Sequence, residues 1–294
     1  MMLFVFSALH AEAQPLIREM ILKRREGSGR FQQFIDEKEM LLLTLTGVGE
    51  IPAAAGVAAV LSRESRRRGD ILLSLGSCAW IGEREAAPEL GQYLRLCSIR
   101  NRDSGRIFYP DLLERSVFPE ARCLSGSRLI RTEEERASAA LSGCEVYEME
   151  AAGVYEAGNL FLGPERLHFL RLLTDFGESD SLSPERLREL ATRNADVLLT
   201  EVDRLLHLSE SLSEETALFT NEEKCCTERL VQDLRLSRTL EWQLRQRLCY
   251  LQLVSAPWQE LTERWYEEGR LPCRDKRQGQ KLLEELWKHF HTSI

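Results

Sequence analysis

Short runs dominated by apolar residues recur through the first two thirds of the chain, and they limit its fold more than any other feature. Leu3–Ser7, Asp70–Leu75 and Leu167–Leu173 are runs of this kind. Such runs are typical of strands that are buried on both faces of a parallel sheet. Helical patterns separate them. Strands that alternate with helices over about 205 residues predict an α/β domain with a mostly parallel central sheet and helices on both faces.

The composition fits a chain that buries a sizeable core. Of its 294 residues, 43% are hydrophobic and 29% are charged, as in soluble globular proteins. The formal net charge of −8 argues against general nucleic-acid binding, which requires a basic surface. We find no apolar run of membrane-spanning length, and the apolar start of the chain lacks the basic segment of a secretory signal.

The cysteines and histidines indicate neither a metal site nor a cofactor site. The eight cysteines include no CxxC pair, and reduced, structural thiols are typical of cytoplasmic proteins. We therefore expect a cytoplasmic protein that binds no metal, cofactor or nucleic acid and makes no membrane contact.

A change of pattern divides the chain near residue 207. Residues 1–207 form the predicted α/β domain, which ends in a long helix over Ser183–His207. Ser209–Ser213 has the composition of a polar linker, and residues 214–294 show helical spacing of Leu and Trp, which predicts an all-helical C-terminal domain. This domain holds four of the five Trp residues, and we expect them to form core rather than a ligand site. Its role is left open, with a protein partner as one alternative.

The stretch Glu148–Tyr155 follows a predicted strand and opens an alanine-rich helix. Open α/β folds bind ligands at such strand-to-helix junctions, at the carboxyl ends of their strands. Glu150 would place an acceptor-only group there, which is suited to gripping two neighbouring hydroxyls such as a ribose diol. The alternative is that Glu150 only complements the dipole of the helix that it begins.

Two small-residue segments follow other predicted strands. Thr46–Gly56 combines a GxG turn with an alanine-rich helix. It resembles a dinucleotide-binding fingerprint only weakly, because its third glycine is not at the required spacing. Gly76–Ala79 reads as a turn where backbone N–H groups can approach a ligand.

Three acids occupy equivalent positions, each after a predicted strand: Glu12, Glu150 and Asp175. Together with Ser77 and Met149, this pattern resembles the purine nucleoside phosphorylase and nucleosidase superfamily, in particular the methylthioadenosine/S-adenosylhomocysteine nucleosidases. The resemblance covers residues 1 to about 205, in the order in which the chain presents them. The motifs that carry it are Thr46–Gly49, Leu75–Ser77, Glu148–Ala152 and Thr174–Asp175.

The resemblance implies a role for each residue of this set. Breaking an N-glycosidic bond requires one acid to protonate the leaving base and a second group to activate the nucleophile. By resemblance, Asp175 protonates a purine at N7, and its apolar neighbours favour a raised pKa. Glu12 activates water, Glu150 grips the ribose and Met149 packs beneath the sugar. The predicted substrate-binding set also includes Ser77, Cys78 and Glu148.

The nucleophile is left open between water and phosphate. Phosphorylases need a cationic, glycine-lined pocket at the first loop, whereas Ala8–Ala13 contains neither Arg nor Gly, and Glu12 would repel phosphate. We therefore expect hydrolysis. An arginine such as Arg186 or Arg188, or one from a partner subunit, would favour phosphorolysis. The third alternative is a nucleoside-sensing or partner-binding protein without turnover, in which the C-terminal helices carry the function.

The stretch Gly126–Leu129 departs from the family pattern. It reads Gly-Ser-Arg-Leu where the family carries an aromatic residue, so a purine lacks a stacking ring there unless Phe108 or Tyr109 supplies one. Cys78 also replaces a smaller residue. The base and the 5′ substituent of the substrate are therefore left open, and the resemblance implies a homo-oligomer of undetermined order.

Overall fold

A computed structural model describes residues 1–27, 29–64, 69–111, 117–130, 132–177, 183–214, 220–253 and 256–291. The chain divides into two compact units, Met1–Ser213 and Glu214–Ile294. Among the described helices, none is both long and apolar enough to cross a membrane.

The first unit combines one large sheet with helices. Within the described residues its strands are β1 Leu3–Ser7, β2 Lys23–Arg24, β3 Gln32–Ile35, β4 Leu41–Leu45, β5 Ile71–Trp80, β6 Tyr93–Asn101, β7 Ile107–Phe108, β8 Glu120–Ser125, β9 Val146–Glu148 and β10 Leu167–Asp175. The helices are α1 His10–Glu19, α2 Glu50–Arg63, α3 Glu133–Ala140, α4 Ala151–Gly158, α5 Pro184–Arg193 and α6 Ala195–Glu214.

The sheet is mixed and partly closed, which corrects the prediction of a mostly parallel sheet. Strands β10, β6, β8, β9 and β5 pair in a ring, and β1, β4, β3 and β2 extend from β5. β5 pairs in parallel with β1 and β10 but antiparallel with β9, and β6–β10 and β3–β4 are antiparallel as well. Apolar runs identify buried strands but do not encode the direction of their partners, so the sequence could not reveal this arrangement.

The length of β5 explains how the ring closes. Gly76–Ala79, predicted as a turn, continues the strand to Trp80. The first half of β5 pairs with β1, whereas Ala79 and Trp80 pair with β9. Since small residues are tolerated in a strand that other backbone segments approach closely, this segment carries the sheet into the ring.

Helices pack on two sides of the sheet. One core contains apolar side chains of α2 and α4, such as Val57 and Ala152. The other contains side chains of α1, α5 and α6, such as Leu16, Leu187 and Val202. The strand ends between these layers carry the acids that the sequence singles out.

The end of the first unit differs from the prediction of one long helix followed by a linker. The helix over Ser183–His207 is broken at Asn194 into α5 and α6. α6 then continues through the predicted linker Ser209–Ser213 to Glu214. The linker prediction is wrong, because the hydroxyls of Ser211 and Ser213 donate to helix carbonyls four residues earlier, those of His207 (3.1 Å) and Ser209 (2.8 Å). Serines bonded in this way can continue a helix.

The second unit is helical, as predicted. Its helices within the described residues are α7 Asn221–Leu234, α8 Arg238–Leu253, α9 Trp258–Glu267 and α10 Lys276–His291. Trp258 and Trp265 are fully buried among its leucines, which confirms them as core. Trp242, by contrast, is exposed.

Candidate active site

A cavity of about 320 Å³ lies at the carboxyl ends of β1, β5, β9 and β10. Residues from segments far apart in sequence line it together, including all seven predicted site residues: Glu12, Ser77, Cys78, Glu148, Met149, Glu150 and Asp175. Its volume is within the range of small-molecule sites.

Glu12, in the first turn of α1, is buried and held by four hydrogen bonds. Its Oε1 accepts from the backbone N and the hydroxyl of Ser77 (2.9 and 2.7 Å). Its Oε2 accepts from the Ser7 hydroxyl (2.9 Å) and the Leu9 backbone N (3.0 Å). A carboxylate has about four acceptor positions, so its orientation is fixed before any ligand binds.

Asp175 ends β10 and is half-buried. Its Oδ1 accepts from the backbone N of Gly177 (2.7 Å), and its Oδ2 accepts from the Thr174 hydroxyl (2.8 Å). The same hydroxyl lies 3.1 Å from the carbonyl oxygen of Cys78. Thr174 therefore has a second acceptor to which its proton can turn if Asp175 becomes protonated.

The register of β5 separates the two acids. Glu12 is bonded to Ser77, whereas Asp175 pairs with Ala79 in the sheet. Two residues along a strand span roughly 6–7 Å. The two carboxyl groups thus approach the cavity from positions that leave room between them for a sugar ring.

Glu150 caps the start of α4 and crosses to the glycine-rich turn. Its Oε1 accepts from the backbone N of Gly49 (2.8 Å), which is in the left-handed region with φ 106°. The glycine turn is thus used to hold an acid. Burial, together with the neighbouring Glu148 carboxylate, raises the pKa of Glu150 to about 8, so the free protein holds this carboxyl largely protonated at neutral pH.

Glu148 is buried in an ion pair with Arg171, with the closest N–O distance at 2.9 Å. The same carboxylate oxygen accepts from the backbone N of Glu150 (3.0 Å) and of Ala151 (2.8 Å). Arg171 also donates to the carbonyl and hydroxyl of Ser74. Glu148 borders the cavity, but its carboxylate is engaged in fixing the backbone that carries Glu150.

Met149 and Cys78 form part of the apolar wall of the cavity. Met149 packs against a small buried cluster that includes Ile130 and Tyr147. Cys78 is almost fully buried, and burial raises the pKa of its thiol well above the ordinary value. A thiol held neutral in this way is a poor nucleophile.

Tyr147 is a cavity residue that the sequence analysis missed. Its ring lines the cavity, and its hydroxyl donates to the carbonyl oxygen of Arg128. Tyr147 lies on β9 two positions before Met149, which directly follows the strand. Since side chains alternate along extended backbone, this spacing of two is the signal that could have identified it. Phe108 and Tyr109 do not line the cavity: Phe108 stacks on Tyr155 with ring centroids 4.9 Å apart, and Tyr109 is exposed.

No cationic side chain occurs among the described residues that line the cavity. Arg186 and Arg188 are exposed on α5, and Arg186 pairs with Glu189 (2.8 Å). Across the described part of the chain, no group of three or more His, Cys, Asp or Glu side chains is arranged to hold a metal ion.

Comparison with known proteins identifies the fold. No family model and no curated protein sequence matches the chain. Among solved structures it resembles the 5′-methylthioadenosine/S-adenosylhomocysteine nucleosidase of Neisseria meningitidis in complex with methylthio-immucillin-A, with a TM-score of 0.54 and 18% identity over 72% of this chain and 99% of that chain. It also resembles the 5′-methylthioadenosine nucleosidase of Arabidopsis thaliana in its apo form, with a TM-score of 0.58 and 16% identity over 69% of this chain and 96% of that chain.

Futalosine hydrolase of Helicobacter pylori is a third similar structure, with a TM-score of 0.55 and 15% identity over 69% of this chain and 97% of that chain. The chain therefore has the nucleoside phosphorylase and nucleosidase-like fold, as the sequence predicted. The solved structures named here are all nucleosidases or hydrolases.

Proposed function

We propose that the first unit hydrolyses the N-glycosidic bond of a purine-type nucleoside. One observation carries this proposal: the carboxyl groups of Glu12, Glu150 and Asp175 converge on one cavity whose described lining residues include no cation. Bond cleavage through an oxocarbenium-like sugar requires an acid for the leaving base and a base for the nucleophile. This cavity offers both, together with a third carboxyl group for the sugar.

Asp175 is the proposed acid that protonates N7 of the leaving base. Gly177 N fixes Oδ1, which leaves Oδ2 as the oxygen that carries the proton. When it does, the Thr174 hydroxyl donates to the Cys78 carbonyl instead. Transfer of the proton to N7 neutralises the charge that the base acquires as the bond between C1′ and the ring nitrogen breaks.

Glu12 is the proposed general base. Its four acceptor positions are occupied in the unliganded site, so a water molecule must displace one donor. Two of these donors are hydroxyl groups that can rotate, those of Ser7 and Ser77. The Ser77 hydroxyl is the one that a water molecule in the cavity would displace, because Ser77 lines the cavity whereas Ser7 is buried. Water then donates one proton to Glu12 while its oxygen bonds to C1′.

Glu150 is the proposed ribose ligand. Oε1 is bound to Gly49 N, and Oε2 forms no hydrogen bond within the described residues, so that oxygen can accept from a sugar hydroxyl once the carboxyl group loses its proton on binding. Met149 would lie beneath the sugar, and Tyr147 would supply the aromatic surface that Gly126–Leu129 lacks. We assign Glu148 to positioning Glu150, in place of direct contact with substrate.

The charge of the cavity favours water over phosphate as the nucleophile. Phosphorolysis requires cationic or N–H-rich surroundings for a dianion. Here Glu12 is at the expected entry of the nucleophile, and Arg186 and Arg188 are outside the cavity lining. An acid in that position repels phosphate and accepts a proton from water.

The proposal is tested by release of free base from a panel of nucleosides in phosphate-free buffer. The panel contains inosine, adenosine, deoxyadenosine, methylthioadenosine and S-adenosylhomocysteine. Wild-type protein is expected to release base from at least one of them, and Glu12→Gln to reduce that rate at least about 100-fold. Binding of nucleoside without release would instead favour a nucleoside-sensing protein.

We also propose that the protein acts in the cytoplasm as a homo-oligomer, with the helical unit available to a protein partner. All eight cysteines are free, which suits a reducing compartment. Val48 at the cavity and the neighbouring Ile51 are exposed apolar side chains, as expected for a surface that a second subunit covers. Light scattering on the purified protein would give the oligomeric state.

A further inference from the structure

Arg136 lies beside the loop that holds the proposed acid. It belongs to α3 and is half-buried. A Cβ atom built on Gly177 would lie 3.9 Å from Arg136 Nε. Gly177 lines the cavity, and its backbone N binds Asp175 Oδ1 at 2.7 Å. The guanidinium group is therefore at the Asp175 end of the cavity, away from Glu12 and Ser77.

Arg136 also differs from its neighbours in having no partner in the part of the chain that the structure describes. Within the described residues its side chain forms no hydrogen bond or ion pair. Arg128, on the preceding segment, pairs with Glu135 (3.0 Å), and Arg106 pairs with Glu156. Withdrawing a cation from water without a partner is unfavourable, so a half-buried unpaired guanidinium beside a ligand cavity is suited to a ligand acceptor.

The chemistry of the purine ring identifies which acceptor this is. The substituent on C6 neighbours N7 on the same edge of the base, so a base that receives a proton from Asp175 at N7 directs its C6 substituent to the same end of the cavity. Arginine offers only donors. A 6-oxo group accepts hydrogen bonds, as O6 of guanine does from arginine, whereas a 6-amino group donates and is repelled.

We propose that Arg136 is a specificity-determining residue that selects nucleosides of 6-oxopurines, such as inosine, over those of 6-aminopurines, such as adenosine. This inference rests on the proposed function, because it takes the position of the base from Asp175. It assigns Arg136 no part in proton transfer.

The test compares kcat/KM for inosine and adenosine in wild type, Arg136→Met and Arg128→Met. Wild type is expected to favour inosine by at least about 10-fold. Arg136→Met should lower kcat/KM for inosine by about 10- to 100-fold, because the contact with the 6-oxo group is lost. Its kcat/KM for adenosine should stay within about 3-fold of the wild-type value. Arg128→Met is the matched control, since it removes an exposed, paired arginine nearby. Its ratio of kcat/KM for inosine to kcat/KM for adenosine should equal that of wild type.

Two outcomes would overturn the inference while leaving the proposed function intact: a wild-type preference for adenosine, or an equal loss for both substrates in Arg136→Met. If wild type cleaves neither inosine nor adenosine, the other nucleosides of the panel decide the proposed function, and calorimetric binding of inosine and adenosine to the same proteins decides the inference. Tighter inosine binding that disappears in Arg136→Met would support the contact, and equal binding or no binding would refute it.

Discussion

At the scale of single residues, the backbone prepares the acids of the site before a ligand arrives. Leu9 N and Ser77 N hold Glu12, Gly49 N holds Glu150 and Gly177 N holds Asp175. Backbone donors at strand and helix ends cannot rotate away as side chains can. Backbone donors therefore fix both oxygens of Glu12 and one oxygen each of Glu150 and Asp175. The proposed reaction depends on the second oxygen of Glu150 and Asp175 and on the hydroxyl donors to Glu12.

Replacing Asp175 with Asn should abolish base release while leaving nucleoside affinity within about 3-fold. The amide keeps the shape and accepts from Gly177 N, but it cannot transfer a proton, and general acids contribute about 10²- to 10⁴-fold to rate. Single-turnover release and equilibrium binding, measured on the same preparation, check this. Release near the wild-type rate would remove Asp175 from the role of acid.

Replacing Glu150 with Gln should stabilise the protein increasingly as pH rises above about 4.5. The folded-state pKa of Glu150 is raised from 4.5 to about 8, so the folded protein binds the extra proton between these values and loses stability as pH rises through that window. The variant has no charge to bury. Its free energy of unfolding should equal that of wild type at pH 4, below the unfolded-state pKa, and exceed it by about 2–4 kcal/mol at pH 8.5.

Urea denaturation of both proteins at the two pH values measures their free energies of unfolding. If the variant and wild type differed by the same amount at both pH values, the prediction would be contradicted. The same variant should bind nucleoside more weakly, because the amide provides a donor where the ribose needs an acceptor.

The sequence predicts much of the site at this scale, and the reasons for its gaps are physical. Glu12, Glu150 and Asp175 could be identified because each follows an apolar run at a strand end. The ion pair between Glu148 and Arg171 could not be predicted from the sequence. Arg171 is a single charge within a mostly apolar strand, and its partner lies 23 residues away. Tyr147 was missed because a strand of three residues shows little alternation.

At the scale of elements, one buried ion pair joins β9, β10 and α4. Arg171 on β10 binds Glu148 at the end of β9, and Glu148 accepts the first N–H groups of α4. α4 also packs closely on α2, because a Cβ on Gly153 would lie 2.5 Å from the carbonyl oxygen of Glu50. Glu150 therefore owes its position to the packing of four elements, β9, β10, α4 and α2.

Arg171→Met should destabilise the protein by about 3–5 kcal/mol, because it leaves the Glu148 carboxylate buried without its counter-charge. The double variant Arg171→Met with Glu148→Met should recover most of that loss, apart from about 1 kcal/mol for the lost cap of α4. Denaturant unfolding of wild type, both single variants and the double variant gives the coupling energy. A double variant no more stable than Arg171→Met would contradict this explanation, because it would show that the loss does not come from the unpaired Glu148 charge.

The elements themselves were predicted where their pattern was strong. Leu3–Ser7 and Leu167–Leu173 are strands as expected. β8 was missed because Glu120–Ser125 is short and carries Arg122 at its middle. The small residues of Gly76–Ala79 favour a turn locally, and a turn was predicted there. In the structure this segment extends β5, because pairing with β9 and β10 outweighs the local preference.

At the scale of the whole molecule, the chain consists of two units with separate cores. The first ends within α6, where Leu198, Val202 and Leu205 are fully buried. Ser209 near the end of this helix donates to the carbonyl of Gly69 (2.5 Å). The segment predicted as a linker therefore contributes to the stability of the first unit.

A chain ending at Glu214 should fold and retain base release, whereas a chain ending at His207 should be less stable by about 1–3 kcal/mol. The shorter chain loses the buried hydrogen bond of Ser209 and leaves the carbonyl of Gly69 without its partner. Thermal unfolding of the two truncated proteins, compared with the full chain, makes the measurement. Equal stability of the two would show that residues 208–214 add nothing to the first unit.

The central claim is that water, held by Glu12, is the nucleophile. The most direct measurement is the identity of the sugar product when the protein cleaves inosine in phosphate buffer, followed by phosphorus and proton NMR. Our account predicts free ribose, at a rate that does not change when phosphate is left out. Ribose 1-phosphate as the product, with no cleavage in the absence of phosphate, would contradict it.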